Sequence, residues 1–296
     1  MTEPQGEGLR MPVGVAAAWA SGTILVFWSL SIAVAAFRRD LVSLFACEAV
    51  PLLGSAVLVW LVYGQAPLPA APPPAEDLDS PRPLLPPREP ALSFFAVRAA
   101  HPGSYVLAFF LGIAIHLPVE AILRLIEQRW PGPPQDIARS FREAGPAMKI
   151  VIGSIVVVIG PLVEEIFFRG ALFRPLRKAS STAGTIALTS ITFAVSHFTP
   201  HTYVPIGIVG VALGLARHWS GSLIPPFVLH AAFNGLSLVA MATSTGDVAD
   251  RASPPLWVTL AGTAVTVGLA AGLWALGHCA RDGARGRDGA AHSAPR

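Results

Sequence analysis

The chain has 296 residues, of which 53% are hydrophobic and 13% are charged, and its formal net charge is +3. Soluble domains usually carry about 25% charged residues, so this composition excludes an ordinary soluble protein and indicates a polytopic membrane protein. The small net charge fits the loop charges of a membrane protein better than it fits nucleic-acid binding. The two cysteines, Cys47 and Cys279, lie in or beside apolar segments and support neither a disulfide framework nor a CxxC metal site.

The apolar segments are continuous rather than alternating, so we predict that they form membrane-spanning helices and not strands. The first run is longer than the apolar region of a signal peptide and follows the acidic residues Glu3 and Glu7, so we predict a retained helix. Eight stretches are long enough, or nearly so, to cross a hydrocarbon core about 30 Å thick. They are 12–36, 41–63, 104–125, 149–172, 182–199, 203–218, 222–242 and 255–278. The sequence thus predicts an all-α, polytopic integral membrane helical bundle with about eight transmembrane helices.

The organisation of the chain follows its composition. A proline-rich segment, 64–103, separates the two N-terminal spans (1–63) from a transmembrane core (104–278), and we predict an extended, mobile linker there. The Gly-, Arg- and Asp-rich tail, 279–296, is predicted to be disordered. With eight spans both termini lie on one side of the membrane. Lys and Arg residues are in excess on this side, with Arg217 counted as a loop charge. This excess predicts that the side faces the cytoplasm.

The fourth span carries adjacent acids. An ionisable group at the centre of a membrane helix costs roughly 2.5 to 3.5 kcal/mol on insertion scales, so it is retained where it pairs, binds or reacts. Glu165 and Arg169 are four residues apart and are predicted to form a buried structural ion pair. Glu164 points about 100° away, and Pro161, one turn earlier, removes a backbone hydrogen bond. Glu164 is therefore the candidate general base, unless both acids lie at the solvated membrane interface.

Two further apolar helices carry histidines. His197 lies at the end of the fifth span and is preferred over His201, which follows a proline and is expected in a loop. His230 and Asn234 are four residues apart on the seventh span, so they share a helix face. Each feature alone has a structural explanation, because a histidine at a helix end is often interfacial and a polar pair often joins two helices. Three helices with such groups in one half of the chain favour a common site.

The three patterns together resemble the CPBP family, which comprises the CAAX prenyl endopeptidases and their bacterial relatives, also called Abi proteins. The family pattern is Glu-Glu-x-x-x-Arg, then Phe-x-x-x-His, then His-x-x-x-Asn on successive intramembrane helices. This chain shows it as 164–169, 193–197 and 230–234, in the same order and spacing. The resemblance covers roughly 145–245, about a third of the chain.

The resemblance implies an intramembrane endopeptidase that cleaves a peptide or a membrane protein within the lipid bilayer. It implies that Glu164 and His197 activate a water molecule and that His230 and Asn234 stabilise the oxyanion. Glu164, His197 and His230 also form a possible zinc ligand set, and we favour a divalent metal, most readily zinc. A metal-free, glutamate-based hydrolase with the same residues stays open.

Alternative functions follow from the same residues. Intramembrane Glu, His and Arg also mark transporters and ion-binding proteins, although the inverted repeats typical of many transporters are not visible. A catalytically silent family member acting in immunity or as a scaffold is the third possibility. We expect neither an organic cofactor nor a nucleic-acid partner. The high Ala, Gly, Pro and Arg content is typical of a GC-rich bacterium, so the expected location is a bacterial inner or plasma membrane.

Overall fold

The computed structural model describes residues 9–37, 40–65, 88–130, 141–243 and 254–292. Within these ranges the secondary structure is helical, apart from one isolated β-bridge between Gln65 and Arg88. The main helices are α1 (Val13–Ala35), α2 (Leu41–Tyr63), α3 (Ala91–Phe94), α4 (Pro102–Ala114), α5 (His116–Arg129), α6 (Pro146–Arg177), α7 (Thr182–Ser196), α8 (Tyr203–Ser220), α9 (Ile224–Thr243) and α10 (Leu256–His292).

The predicted polytopic helical membrane fold is confirmed. Six helical segments of the described chain are long and apolar enough to cross a membrane: α1, α2, the α4–α5 pair, α6, α9 and the first 25 residues of α10. The fifth and sixth predicted spans are present as α7 and α8, which are shorter or less apolar than these six. The predicted number of eight spans is therefore approximate, and the protein is an integral membrane protein.

One end of the bundle collects the segments that an eight-span topology places on one side. The backbone N–H of Met11, before α1, donates to the carbonyl of Pro175 near the end of α6, at 3.1 Å. The N–H of Leu223, before α9, donates to the carbonyl of Ala96, at 2.9 Å. Each hydrogen bond joins two connecting segments that are two or more spans apart in sequence. Spans that cross the membrane in alternating directions would place these segments on the same side.

The linker prediction is wrong for the part of it that the structure describes. Residues 88–103 are packed against the bundle, since the side chains of Phe94 and Ala96 are each only 2% exposed. Glu89 also pairs with Arg174 of α6, with 2.6 Å between Oε2 and Nη1. Apolar burial and this ion pair hold the segment despite its prolines. Residues 66–87 lie outside the described part of the chain.

The tail prediction is also wrong over most of its length, because α10 continues to His292. Extending an existing helix fixes one residue for each added hydrogen bond, whereas nucleation is costly. Alanines and arginines between residues 279 and 292 favour the helix, which continues despite three glycines in the same stretch.

Helix α6 is irregular on both sides of its acids. Residues Ile155–Ile159 and Ile166–Leu172 are π-helical, and Gly160–Glu165 between them is α-helical. Pro161 supplies no backbone donor, which is consistent with the irregular hydrogen bonding nearby. Helices α2, α7 and α9 all contact α6 here. Because π-helical turns often occur at functional sites, this junction is the candidate functional site.

Candidate active site

A fully buried ion pair lies at the centre of the junction. Arg169 Nη1 is 2.8 Å from Glu165 Oε1, and both side chains are 0% exposed. The second terminal nitrogen of Arg169 donates to the backbone carbonyl of Gly210 in α8, at 3.0 Å. The i,i+4 spacing thus places the two charges together, and α8 supplies a further acceptor for the guanidinium.

The ring of Phe193 organises the groups around it. The guanidinium carbon of Arg169 lies 4.6 Å from the ring centroid. The rings of His197 and His230 meet the Phe193 ring edge-on, with centroid distances of 4.9 and 5.5 Å. Phe193 is 1% exposed, so this one aromatic side chain joins polar groups from α6, α7 and α9.

His230 lies between the two adjacent acids of α6. Its Nδ1 is 3.2 Å from Glu165 Oε1 and its Nε2 is 3.4 Å from Glu164 Oε2. The imidazole is 3% exposed. Glu164 and Glu165 therefore point to different sides of the same ring, and α9 is fixed to α6 through both of them.

His197 ends α7 and has a defined orientation. Its Nδ1 lies 2.9 Å from the backbone carbonyl of Phe193. A carbonyl only accepts, so Nδ1 carries the hydrogen and the Nε2 lone pair of a neutral ring remains available. The indole N–H of Trp28 in α1 donates to a carbonyl in the last turn of α7, at 3.1 Å. His201 lies instead in the 3₁₀ turn Pro200–Thr202.

Asn234 stands one turn after His230 and contacts the irregular part of α6. Its Nδ2 donates to the carbonyl of Val156, at 2.9 Å, within the first π-helical stretch. A carboxamide has two N–H groups, so this bond uses one of them and leaves one for another acceptor. Asn234 thus holds α9 against α6 and retains a donor.

Sequence reasoning missed Glu48 and misjudged Arg217. Glu48 of α2 is hydrogen-bonded to Glu164 and interacts electrostatically with His197 and His230. The sequence feature that could have identified Glu48 is that it is the single carboxyl group in the 23-residue apolar helix α2. Arg217 was counted as a loop charge, but it is 1% exposed and its Nε donates to the carbonyl of Arg169, at 3.0 Å. Helix α8 continues to Ser220, which keeps Arg217 inside the bundle.

Of the residues predicted as zinc ligands, Glu164 and His230 lie together, with 3.4 Å between Oε2 and Nε2. Among the described residues, no group of three or more His, Cys, Asp or Glu side chains is placed to hold a metal ion. Both ring nitrogens of His230 face carboxyl groups of α6. Nδ1 of His197 donates to a backbone carbonyl, which leaves Nε2 available as a ligand. Zinc ligands instead converge on one point at about 2.0 to 2.2 Å, so the zinc site stays a prediction.

Comparison with known proteins agrees with the motif order. Residues 146–236 match the family described as type II CAAX prenyl endopeptidase Rce1-like. The chain is also 29% identical over 147 residues to the membrane-embedded CAAX protease MroQ of Staphylococcus aureus (strain USA300). That alignment covers 47% of this chain and 59% of the relative. Both matches support the resemblance to the CPBP family that the motifs predicted.

The matched family region contains all the predicted site residues. It begins at the start of α6 and ends two residues after Asn234. Helices α1 and α2 lie before it, although α2 carries Glu48. No solved structure matches the chain. The CPBP family is a protease family, so the resemblance favours peptide-bond hydrolysis as the reaction.

Proposed function

We propose that this protein is an intramembrane endopeptidase that hydrolyses a peptide bond in a peptide or membrane-protein substrate. One observation carries the proposal: Glu164 lies 3.4 Å from His230, and His230 and His197 both contact the ring of Phe193, so that three helices bring these groups together. An acid and two imidazoles at one buried point are the groups that general acid–base hydrolysis needs.

In the proposed reaction Glu164 accepts a proton from the attacking water. Its hydrogen-bonding neighbours, His230 and Glu48, hold the carboxyl group in place beside the irregular part of α6. His197 offers its Nε2 as an acceptor because its Nδ1 donates to a carbonyl. These two acceptors orient and deprotonate the water, and the same groups return a proton to the leaving amine.

The oxyanion of the tetrahedral intermediate needs donors on the opposite side of the scissile carbonyl. Asn234 has one N–H beyond the bond to Val156, whereas both ring nitrogens of His230, one turn earlier, face Glu164 and Glu165. Donors fixed in a water-poor site stabilise developing negative charge far better than mobile water does. We therefore assign the oxyanion to the second N–H of Asn234 and assign His230 to holding the two acids of α6.

Glu165 and Arg169 are proposed to support the site rather than to react. Their charges neutralise each other with no exposure to solvent. Arg169 also contacts Phe193 and Gly210, so the pair links α6 with α7 and α8. Loss of one partner would leave the other buried and uncompensated.

The substrate is proposed as a peptide or membrane protein of a bacterial membrane. The relative from Staphylococcus aureus is named as a CAAX protease. In this chain nothing in the sequence indicates a prenyl group as the recognised element. The segments near Met11, Pro175 and Leu223 meet at one end of the bundle, and we propose that this end, with both termini, faces the cytoplasm.

The proposal is tested with purified protein in detergent and a library of synthetic peptides with apolar segments. Mass spectrometry of the products should reveal new internal termini, as expected for an endopeptidase. His197→Gln should abolish the products, whereas His201→Gln, in the neighbouring turn, should leave them unchanged. If the wild-type protein cleaves no member of the library and no co-reconstituted membrane protein, the transporter or scaffold alternative is favoured.

A further inference from the structure

Helix α2 carries none of the family motifs, yet one of its side chains enters the site. Glu48 is hydrogen-bonded to Glu164 and interacts with the charges of His197 and His230. Glu164 and His197 are the groups that the proposed reaction uses at the water molecule, and His230 holds Glu164. Glu48 is therefore placed among the reacting groups, although it lies outside the matched region 146–236.

The sequence of α2 explains why Glu48 faces inward. Leu52, Ala56 and Val59 are almost completely buried and follow Glu48 at helical spacing. Helix α2 packs along α6 on both sides of its acids. Pro51 also removes the helical hydrogen bond to the carbonyl of Cys47, so the helix is locally more polar at this level.

A carboxyl group on the buried face of a membrane helix is costly, so its retention calls for a partner. Two ionised carboxylates only accept hydrogen bonds, and a bond between Glu48 and Glu164 requires a proton on one of them. Such a bond, together with the contact to His230, restrains the carboxyl group of Glu164. Between them, α2 and α9 leave Glu164 little rotational freedom.

We propose that Glu48 is a positioning residue that holds the Glu164 carboxyl group in the orientation needed to accept the proton of the attacking water. This inference rests on the proposed function, because positioning matters only if Glu164 reacts. Displacing a reacting group by about 1 Å can lower a rate by about 10²-fold. Glu48 thus makes α2, outside the matched region, part of the active site.

Two substitutions separate positioning from simple packing. Glu48→Gln keeps a donor for the Glu164 carboxylate, and Glu48→Leu keeps volume but has no polar atom. We expect Glu48→Gln to cleave within about threefold of wild type and Glu48→Leu to lose about 10²-fold in kcat with little change in KM. The matched control is Glu120→Gln in α5, whose carboxylate pairs with Arg124 away from the site, and its rate should stay at the wild-type value.

Equal rates for Glu48→Leu and wild type would overturn the proposal, as would equal losses in Glu48→Gln and Glu48→Leu. If wild type itself shows no cleavage, the proposed function has failed and the hydrogen bond is tested separately. The thermal midpoints of Glu48→Leu, Glu164→Leu and the double variant then form a double-mutant cycle. A bonded pair predicts that the double variant loses less than the sum of the single losses, whereas additive losses would overturn the placement of Glu48.

Discussion

The guanidinium of Arg169 lies 4.6 Å from the centroid of the Phe193 ring, and both side chains are almost completely buried. This relationship joins the first two motifs of the family pattern through a contact that neither motif contains by itself. The aromatic face attracts the cation, and the edges of the same ring contact His197 and His230. Phe193 thus couples the ion pair of α6 to both imidazoles.

Replacing Phe193 by leucine should therefore lower both stability and activity. Leucine retains an apolar side chain but has no π face, so we expect a loss of about 2 kcal/mol in the free energy of unfolding. The measurement is denaturation in detergent, followed by the peptide-cleavage rate. Ile191→Leu is the matched control, because Ile191 is on the same helix and 61% exposed. Indistinguishable stabilities for the two variants would show that the cation–π contact contributes nothing.

Asn234→Ala should affect catalysis and the packing of α9 on α6 together. Loss of one oxyanion donor typically lowers turnover by about 10²- to 10³-fold. The Val156 carbonyl would also lose its donor, so the thermal midpoint should fall as well. Val239→Ala, at a 58% exposed position on the same helix, should change neither. A variant with reduced stability and an unchanged kcat would remove Asn234 from the proposed oxyanion site.

The pair between Glu89 and Arg174 predicts an acid-dependent loss of stability outside the membrane segments. Partial burial alone would raise the pKa of Glu89, but hydrogen bonds from Arg174 and Ser93 outweigh it and lower this pKa below its ordinary value of 4.5. Above pH 4.5 the stabilisation is present. As the pH falls through the lowered pKa, Glu89 becomes protonated in the folded protein and the contribution is lost.

The difference in thermal midpoint between wild type and Glu89→Gln should accordingly be constant above pH 4.5 and shrink below it. The control is Glu127→Gln in α5, which removes one carboxylate without removing the pair. A difference that grows as the pH falls would contradict the sign of the lowered pKa.

The local part of the site was predictable from sequence because a helix fixes which residues share a face. The spacing of four placed Glu165 beside Arg169, and His230 with Asn234, without knowledge of any other helix. The prediction that Glu164 points away from Glu165 and Arg169 described only its own helix. In the folded protein His230 and Glu48 reach it from α9 and α2.

Contacts between helices were not predictable in this way, since hydropathy gives each span but not its neighbours or its rotation. Glu48 and Arg217 needed the packing of α2 and α8 on α6 before their roles could be recognised. The linker prediction was wrong for a related reason. Its proline content predicts an extended chain, but Phe94 is buried and Glu89 pairs with Arg174.

Metal dependence is tested by chelation and by elemental analysis of the same purified sample. The metal-free mechanism, in which Glu164 and His197 act on the water directly, predicts that cleavage persists in a strong chelator. His197→Ala should then leave the metal content unchanged. Loss of cleavage on chelation, with recovery on addition of zinc, would instead support the zinc site predicted from the sequence.

The most direct test of the account compares Glu164→Gln with Glu165→Gln, two neighbouring acids with different proposed tasks. Glu164→Gln should fold and insert normally but lose about 10²- to 10⁴-fold in cleavage rate, as expected for a general base. Glu165→Gln should lose about 3 to 5 kcal/mol in stability, because Arg169 is left buried without its partner. Cleavage rates and unfolding of both variants are measured in one detergent preparation. A Glu164→Gln variant that cleaves at the wild-type rate would contradict the central claim that Glu164 activates the water.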